Sequence, residues 1–152
     1  MDVTVIRHGT AEDRAATDAA RELTPVGRAE AERAGERVAA LDPPPDAIVS
    51  SPYLRALQTA EAVAGHLGLA GTVTLDEALV PDAPPSGVRE LLARLSDRRH
   101  VVLVSHEPIL SAACALLTGQ LVAGLRRAEI LSMRNNTGSD VRTSPFILRF
   151  RR

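Results

Sequence analysis

Short apolar runs alternate along this chain with longer stretches in which apolar residues recur every three or four positions. The short runs are rich in β-branched residues and predict strands, whereas the longer stretches predict amphipathic helices. The predicted strands cover residues 2–6, 47–49, 72–75 and 101–104, and the predicted helices cover residues 25–42, 52–67, 87–97 and 107–117. This alternation indicates a three-layer α/β fold, with a mostly parallel central sheet flanked by helices.

Local signals mark where several of these helices begin and end. Thr24 has the side chain of a helix N-cap, and Pro25 suits the first helical position. The first helix is expected to stop before the proline run at 43–45, which cannot continue it. Ser51 is expected to cap the second helix rather than act as a nucleophile. Gly119 is expected to end the fourth helix.

The last part of the chain predicts an antiparallel hairpin instead of another strand–helix unit. Residues 128–133 and 145–150 have the composition of strands, and turn-forming residues occupy 135–140. Residues 119–127, which precede the hairpin, suggest no function from their sequence. No linker or internal repeat interrupts the pattern, so residues 1–152 are expected to form a single domain.

Composition excludes several classes of function. The 152 residues have a net charge of -1, and only 2% of them are aromatic. Because base stacking needs exposed aromatic side chains and nucleic-acid-binding domains are usually basic, we expect no nucleic-acid partner. No apolar run reaches the roughly 18 residues of a membrane span, and the N-terminus does not resemble a signal peptide. We therefore expect a soluble, cytoplasmic protein without a membrane partner, in which the single cysteine, Cys114, is buried in a helix.

Two of the predicted strands are followed by a histidine. His8 comes directly after the first strand, beside Arg7, and His106 comes directly after the fourth. Because ligands bind at the carboxyl edge of a parallel sheet, both histidines are expected to face one site. Arg55 lies in the first turn of the second helix, and Thr59 lies one turn later on the same face. Two arginines and two histidines are therefore expected to meet near helix N-termini, which favour anions.

These side chains favour a phosphate site over a metal site. Two histidines without a paired cysteine, with arginine close by, are poor ligands for a cation, so no metal or other cofactor is expected. All 18 basic residues are arginine, and the guanidinium fork matches phosphate oxygens. A neutral histidine is able to attack phosphorus while arginines and a second, protonated histidine hold the oxygens. His66 and His100 lack this context and are expected to be structural.

Four short segments carry this chemistry in a characteristic order. They are VIRHG at 5–9, LTPVG at 23–27, SPYLRALQT at 51–59 and VSHEP at 104–108. In sequence and order they resemble the motifs of the histidine phosphatase superfamily, whose fold is phosphoglycerate-mutase-like. The small size of the chain and the succession of Asp18, Arg21 and Leu23 are most similar to the SixA-type phosphohistidine phosphatases.

The resemblance implies a metal-independent phosphatase that works through a phosphohistidine enzyme intermediate. It identifies His8 as the phosphorylated nucleophile and Arg7, Arg55 and His106 as the phosphate pocket. Gly9, the last residue of the Arg-His-Gly motif, is expected beside the substrate as well. The substrate implied is phosphohistidine, carried by a protein domain.

The general acid is not identified by the motifs. The resemblance places Asp18 and Arg21 at the pocket rim, and Asp18 is one candidate acid. Glu77 and Asp82, in the short loop at 77–86, are others, and solvent is a further proton source. The imidazole that leaves a phosphoramidate can take its proton from a modest donor, whereas an alkoxide depends more on a general acid. The short loop also implies an open pocket that admits a histidine on a protein surface.

Two other functions are compatible with the same residues. One is a broad phosphomonoesterase of the same superfamily that hydrolyses small phosphate esters. The other belongs to a different class: a phosphate-binding module that has lost catalytic turnover.

Overall fold

The computed structural model describes residues 1–135 and 146–151, in which six strands form one sheet and four helices pack against it. The strands are β1 (Asp2–Arg7), β2 (Ala47–Ser50), β3 (Thr74–Leu75), β4 (His100–Ser105), β5 (Ile130–Asn135) and β6 (Phe146–Arg151). The helices are α1 (Pro25–Ala39), α2 (Leu54–His66), α3 (Pro85–Arg94) and α4 (Ile109–Thr118). Short 3₁₀ turns at Asp18–Ala20 and Glu77–Leu79 lie in the connections.

The strands are ordered β3-β2-β4-β1-β5-β6 across the sheet. The first four strands, β1 to β4, are all parallel to one another. Strand β5 is antiparallel to both β1 and β6. The predicted α/β fold, with a mostly parallel sheet and an antiparallel C-terminal pair, is therefore confirmed. Strand β4 lies between β1 and β2, which places the ends of β1 and β4 side by side.

Strand β4 shows why the sheet is covered on both faces. Val101 and Leu103 belong to the hydrophobic cluster that includes α3 and α4, whereas Val102 and Val104 belong to the cluster that includes α1 and α2. Successive side chains of a strand point to opposite faces, so an unbroken apolar run needs a layer of helices on each side. Full burial of each such side chain contributes about 1.5–3 kcal/mol.

The start of the first helix and both ends of the fourth helix lie within two residues of their predicted positions, whereas the first helix ends three residues earlier than predicted. Thr24 Oγ1 accepts a hydrogen bond from Gly27 N (3.0 Å) and caps α1, with Pro25 at its first position. Helix α1 ends at Ala39, a few residues before the proline run. Helix α4 ends at Thr118 and is followed by Gly119, whose φ of 69° suits glycine in the left-handed region.

The second helix begins later than its sequence suggests. Helix α2 starts at Leu54, and the preceding residue, Tyr53, makes no side-chain capping bond. Ser51 Oγ instead accepts a hydrogen bond from Tyr53 N (3.2 Å) and lies 2.9 Å from His106 Nε2. The prediction that Ser51 caps this helix is therefore wrong, because its hydroxyl is used two residues before the helix begins.

The connection before α3 is more ordered than the predicted loop. Asp76 Oδ1 accepts a hydrogen bond from Ala78 N (2.9 Å), which stabilises the turn at Glu77–Leu79. Helix α3 then begins at Pro85 rather than residue 87, and it ends at Arg94 rather than residue 97. A proline at the first helical position accounts for the early start, because it needs no N–H partner there.

The C-terminal strands are shifted slightly from their predicted positions. Strand β5 begins at Ile130 because Ala128 has a φ of 55°, which is incompatible with extended backbone. The described part of β6 covers Phe146–Arg151, and residue 145, where this strand is predicted to begin, lies outside the described residues. Most of the predicted turn, residues 136–140, lies outside the described residues.

No helix in the described ranges is long and apolar enough to cross a membrane. Cys114 is fully buried in α4, as its apolar surroundings in the sequence predict.

Candidate active site

The ends of β1 and β4 bring the two motif histidines together. The strands are parallel, with Arg7 opposite Ser105, so the residue after each strand lies at the same edge of the sheet. His8 N donates a hydrogen bond to Ser105 O (3.0 Å), which extends the pairing by one residue. The imidazole rings of His8 and His106 are 5.0 Å apart between centroids. The prediction that the two histidines share one edge is confirmed.

The hydrogen bonds of His8 determine its tautomer. Nδ1 lies 2.7 Å from the Gly9 carbonyl oxygen, which only accepts, so Nδ1 carries the proton. Arg55 Nε donates to the other ring nitrogen, Nε2, at 3.2 Å, so Nε2 has the lone pair. Burial, followed by the charges of Arg55 and Arg7, lowers the pKa of His8 to about 4, against the hydrogen bond to Gly9, which raises it. The imidazole is therefore neutral at neutral pH, with a lone pair on Nε2.

Gly9 fits between His8 and the first turn of α1. A Cβ atom at Gly9 would lie 2.6 Å from the Gly27 carbonyl oxygen, so only glycine allows this approach of the backbones. Gly9 N donates to Thr59 Oγ1 (3.1 Å), and Thr59 Oγ1 donates to the Arg55 carbonyl (2.8 Å). These contacts give Gly9 a part in orienting His8, while its expected contact with substrate stays a prediction.

Arg55 projects from the first turn of α2 into the centre of the site. Arg55 is only 4% exposed. Besides contacting His8, it donates from Nη1 to the Asp18 carbonyl (2.7 Å) and from Nη2 to Asp18 Oδ2 (3.2 Å). The guanidinium also lies 5.2 Å from the centroid of the Tyr53 ring, within cation–π distance. Arg55 therefore connects His8 to Asp18.

Arg7 is held by the segment at 119–127, for which the sequence suggested no function. Arg7 Nη1 donates to the Leu125 carbonyl (2.8 Å), and Leu125 N donates to Glu107 Oε1 (3.1 Å). Glu107 follows the second histidine directly, so one buried residue, Leu125, joins Arg7 to the neighbour of His106. Sequence analysis missed both Leu125 and Glu107; the second lies inside the VSHEP motif, but nothing in the sequence indicates its distant partner.

His106 is nearly inaccessible, with 2% of the residue exposed. Its Nε2 atom lies 2.9 Å from Ser51 Oγ, and the Tyr53 ring packs edge-on against it at 5.2 Å between centroids. Burial, followed by the neighbouring His8, lowers the pKa of His106 to about 3. In the unliganded protein His106 is therefore neutral rather than protonated as expected, and it offers an N–H donor instead of a charge.

Asp18 lies at the rim, with 56% of its side chain exposed. Its Oδ1 atom accepts from Arg21 Nη1 (2.9 Å), and Oδ2 accepts from Arg55. Arg21 in turn donates from Nε to the Glu12 carbonyl (2.6 Å). The hydrogen bond from Arg21 is the largest cause that lowers the pKa of Asp18 below its usual value, with Arg55 acting in the same direction. An ionised carboxylate has no proton to donate, so this geometry does not support Asp18 as a general acid.

The other candidate acids lie on the connection between β3 and α3. Glu77 and Asp82 are both exposed. In the described part of the chain, no hydrogen bond or ion pair joins either carboxylate to the arginines or histidines of the site.

The remaining histidines lie outside the site, as predicted. His66, the last residue of α2, pairs with Glu32 of α1 at 2.7 Å. His100 begins β4 at the opposite end of the strand, where its ring contacts Thr4 Oγ1 (2.8 Å) and the Pro43 carbonyl (2.6 Å). Within residues 1–135 and 146–151, no group of three or more His, Cys, Asp or Glu side chains could hold a metal ion.

Comparison with known proteins gives both a family and a set of similar structures. The family model for the histidine phosphatase superfamily (branch 1) matches residues 3–80, half of the chain. The solved structure of the protein histidine phosphatase SixA complexed with tungstate has a TM-score of 0.89 and 25% sequence identity, covering 99% of this chain and 96% of that one. No curated protein sequence matches the chain significantly.

Two further solved structures share the fold at lower identity. A protein assigned as the phosphohistidine phosphatase SixA of Agrobacterium tumefaciens has a TM-score of 0.80 and 23% identity, covering 99% of this chain and 96% of that one. A mycobacterial glucosyl-3-phosphoglycerate phosphatase in complex with VO₃ has a TM-score of 0.79 and 21% identity, covering 98% of this chain and 97% of that one.

Proposed function

Since this chain belongs to the histidine phosphatase superfamily (branch 1), we propose that it removes phosphoryl groups from phosphohistidine on a protein domain, through a covalent intermediate on His8. The observation that carries the proposal is the hydrogen bonding of His8, in which the Gly9 carbonyl holds Nδ1–H and leaves the Nε2 lone pair beside Arg55. The similar SixA structure contains tungstate, a tetrahedral oxyanion like phosphate, which supports the same assignment.

In the first step, His8 Nε2 attacks phosphorus. A P–N bond forms to His8 while the bond from phosphorus to the leaving nitrogen breaks, and the leaving imidazole takes a proton from solvent. Attack places positive charge on the His8 ring, which the hydrogen bond from Nδ1–H to the Gly9 carbonyl stabilises. Because the pKa of His8 is lowered to about 4, the ring needs no deprotonation before it attacks.

Arg7, Arg55 and His106 hold the phosphoryl oxygens in this proposal. Arg7 Nε is buried and has no hydrogen-bond partner among the described residues, so it is available to an anion. Arg55 Nε has to transfer its hydrogen bond from His8 to a phosphoryl oxygen when Nε2 bonds to phosphorus. Each charge-assisted hydrogen bond contributes about 1.5–3 kcal/mol, and the same donors act on the charge of the transition state.

In the second step, water attacks phosphorus on the side opposite His8. The P–N bond breaks and its electron pair returns to His8 Nε2. Water loses a proton to solvent, and inorganic phosphate leaves. The neutral imidazole with its Nδ1–H bonded to Gly9 is thereby restored for the next turnover.

The ionised state of Asp18 supports phosphohistidine as the substrate. Arg21 and Arg55 hold this carboxylate at the rim, so it gives no proton to a leaving group at neutral pH. An alkoxide leaving group depends on a general acid, which usually contributes about 10²–10⁴-fold to the rate. Imidazole takes its proton readily from solvent, so the rate of its departure falls much less when no general acid is present.

Hydrolysis of small phosphate esters is the second candidate function. The shared fold with a mycobacterial glucosyl-3-phosphoglycerate phosphatase favours it, because that enzyme is named for a phosphate ester. The exposed rim around Asp18 leaves room for a small ester as well as for a protein. Only rates measured on both substrate classes separate the two candidates.

The test compares three substrates without added metal: a phosphohistidine peptide, phosphoramidate and p-nitrophenyl phosphate. We expect the highest kcat/KM for the phosphohistidine peptide, and a ³²P-labelled, acid-labile adduct on the enzyme in rapid-quench samples. The variant His8→Asn is expected to lose both turnover and adduct. His66→Asn, a histidine outside the site, is the matched control and should retain both.

Each of the other outcomes selects a different function. Fast ester hydrolysis with little activity on phosphohistidine would establish the phosphomonoesterase. Binding of orthovanadate without turnover of any substrate would establish the phosphate-binding module. Retained turnover in His8→Asn would overturn the proposed mechanism.

A further inference from the structure

Ser51 lies directly beneath the second histidine of the site. It follows β2, where Ser51 N donates to the Val104 carbonyl (3.0 Å) and fixes the backbone against β4. The residue is completely buried, and its Oγ atom is 2.9 Å from His106 Nε2. A hydroxyl at this distance from an imidazole nitrogen is either its donor or its acceptor.

The other hydrogen bonds of Ser51 Oγ indicate whether it donates to His106 Nε2 or accepts from it. Tyr53 N already donates to Ser51 Oγ (3.2 Å). If His106 also donated to Oγ, the hydroxyl proton would need a separate acceptor, and the described hydrogen bonds of Ser51 Oγ include none. Leaving a buried hydroxyl proton unpaired costs about 1–3 kcal/mol. When Ser51 donates to His106 Nε2 instead, the hydroxyl proton and Nε2 are both satisfied, and Nδ1 of His106 is the one polar atom of the pair that stays unpaired among the described residues.

The direction of this bond determines which nitrogen of His106 bears the proton. If Nε2 accepts from Ser51, a neutral ring carries its proton on Nδ1. His106 Nδ1 is buried without a hydrogen-bond partner among the described residues, and its ring lies beside that of His8. The tautomer set by Ser51 therefore leaves one buried N–H without a protein acceptor, next to the nucleophile.

We propose that Ser51 is a positioning residue that fixes His106 as the Nδ1–H tautomer, so that this N–H donates to an oxygen of the transferred phosphoryl group. The opposite tautomer would face the same oxygen with a lone pair and repel it. The inference rests on the proposed function, since it assigns the ligand of Nδ1–H as the phosphoryl group. Arg55 acts as a charge in this site, whereas His106 acts as an oriented neutral donor.

The tautomer is measured directly on the unmodified protein. Long-range ¹H–¹⁵N spectra of ¹⁵N-histidine-labelled enzyme near neutral pH distinguish a protonated Nδ1 from a protonated Nε2. The His106 signals are assigned by their loss in His106→Gln. We expect the Nδ1–H pattern. A spectrum with the proton on Nε2 would overturn the inference, whether or not the enzyme turns over substrate.

The variants Ser51→Ala and Ser51→Thr test the consequence for anion binding. Loss of the hydroxyl is expected to shift His106 away from the pure Nδ1–H tautomer and to weaken orthovanadate binding by about tenfold or more. Threonine retains the hydroxyl and is expected to retain the tautomer. Ser50→Ala is the matched control, because Ser50 is equally buried but its Oγ donates to the Ser51 carbonyl (2.8 Å) and not to His106.

The outcomes separate this inference from the proposed function. An unchanged tautomer and unchanged vanadate affinity in Ser51→Ala would overturn the inference alone. The same loss in Ser50→Ala as in Ser51→Ala would show a general packing effect and would overturn it too. Absence of phosphatase turnover with the Nδ1–H tautomer intact would remove the proposed function but leave the effect of Ser51 on His106.

Discussion

Arg55 Nε donates a hydrogen bond to His8 Nε2 across 3.2 Å, so the buried guanidinium contacts the same nitrogen that attacks phosphorus in the proposed mechanism. The contact keeps a positive charge beside the ring and disfavours a second one on it. In the unliganded protein, His8 Nε2 and Arg55 Nε are therefore hydrogen-bonded to each other. In the proposed mechanism, a phosphoryl group has to replace this hydrogen bond.

His8 is expected to stay neutral well below its usual pKa of 6.5 and to become protonated at a pH near 4, because burial and then Arg55 and Arg7 oppose its charged form. Histidine ring signals followed by NMR as the pH is lowered measure this directly. Arg55→Gln should raise the pKa of His8, though not to 6.5, because burial, the larger cause, remains. A wild-type transition close to 6.5 would contradict the prediction.

Asp18→Asn is expected to retain ester hydrolysis and to tighten orthovanadate binding modestly. The substitution removes a negative charge from Arg55, but the side chain is 56% exposed and screened by solvent, so we expect a gain of about two- to fivefold. Asp13→Asn, an exposed carboxylate on the same loop, is the control. If Asp18 is instead the general acid, turnover of alkyl phosphate esters, whose alkoxide leaving group depends on a proton donor, should fall and that of phosphohistidine much less.

Glu107→Ala is expected to raise KM more than it lowers kcat. Without Glu107 Oε1, Leu125 N loses its acceptor, and the Leu125 carbonyl that holds Arg7 becomes less fixed. Loss of one such buried hydrogen bond corresponds to about a fivefold to tenfold change. Ser111→Ala is the matched control, since Ser111 Oγ donates to the other carboxylate oxygen, Oε2 (2.6 Å). Equal effects of the two variants on KM would contradict this path to Arg7.

Gly27→Ala and Gly65→Ala are expected to change stability in opposite directions. A Cβ at Gly27 would lie 1.9 Å from the Thr10 carbonyl oxygen, so backbone must move, whereas a Cβ at Gly65 meets nothing within 4 Å. We expect Gly27→Ala to lower the free energy of unfolding by about 1–3 kcal/mol or more. Gly65→Ala should raise it by about 0.5–1 kcal/mol, because alanine favours a helix. Urea denaturation monitored by circular dichroism compares them, and a stable Gly27→Ala would contradict the close packing.

Features encoded by neighbouring residues were predictable from the sequence. The Thr24 cap, the proline at the start of α1 and the left-handed Gly119 each depend on a few adjacent positions, and each is found where predicted. The approach of His8 to His106 was also predictable, because two strands with the same direction end at one edge of a sheet.

Contacts between distant segments were not predictable in the same way. Arg7 reaches Leu125 across 118 positions of the chain, and no local pattern identifies either residue as the other's partner. Ser51 has the side chain of a helix cap, but the competing contact with His106 decides its use. The ionised state of Asp18 likewise depends on two arginines that only the folded chain brings to it.

The order of the strands has a consequence for how the protein is made. Strand β1, which precedes His8, pairs with β4 and β5, both of which follow residue 99 in the chain. A nascent chain that ends before β4 therefore holds β1 with both edges unpaired. On a ribosome, residues 1–99 alone cannot bring the two motif histidines together, so the candidate site is completed late, when His106 emerges beside His8.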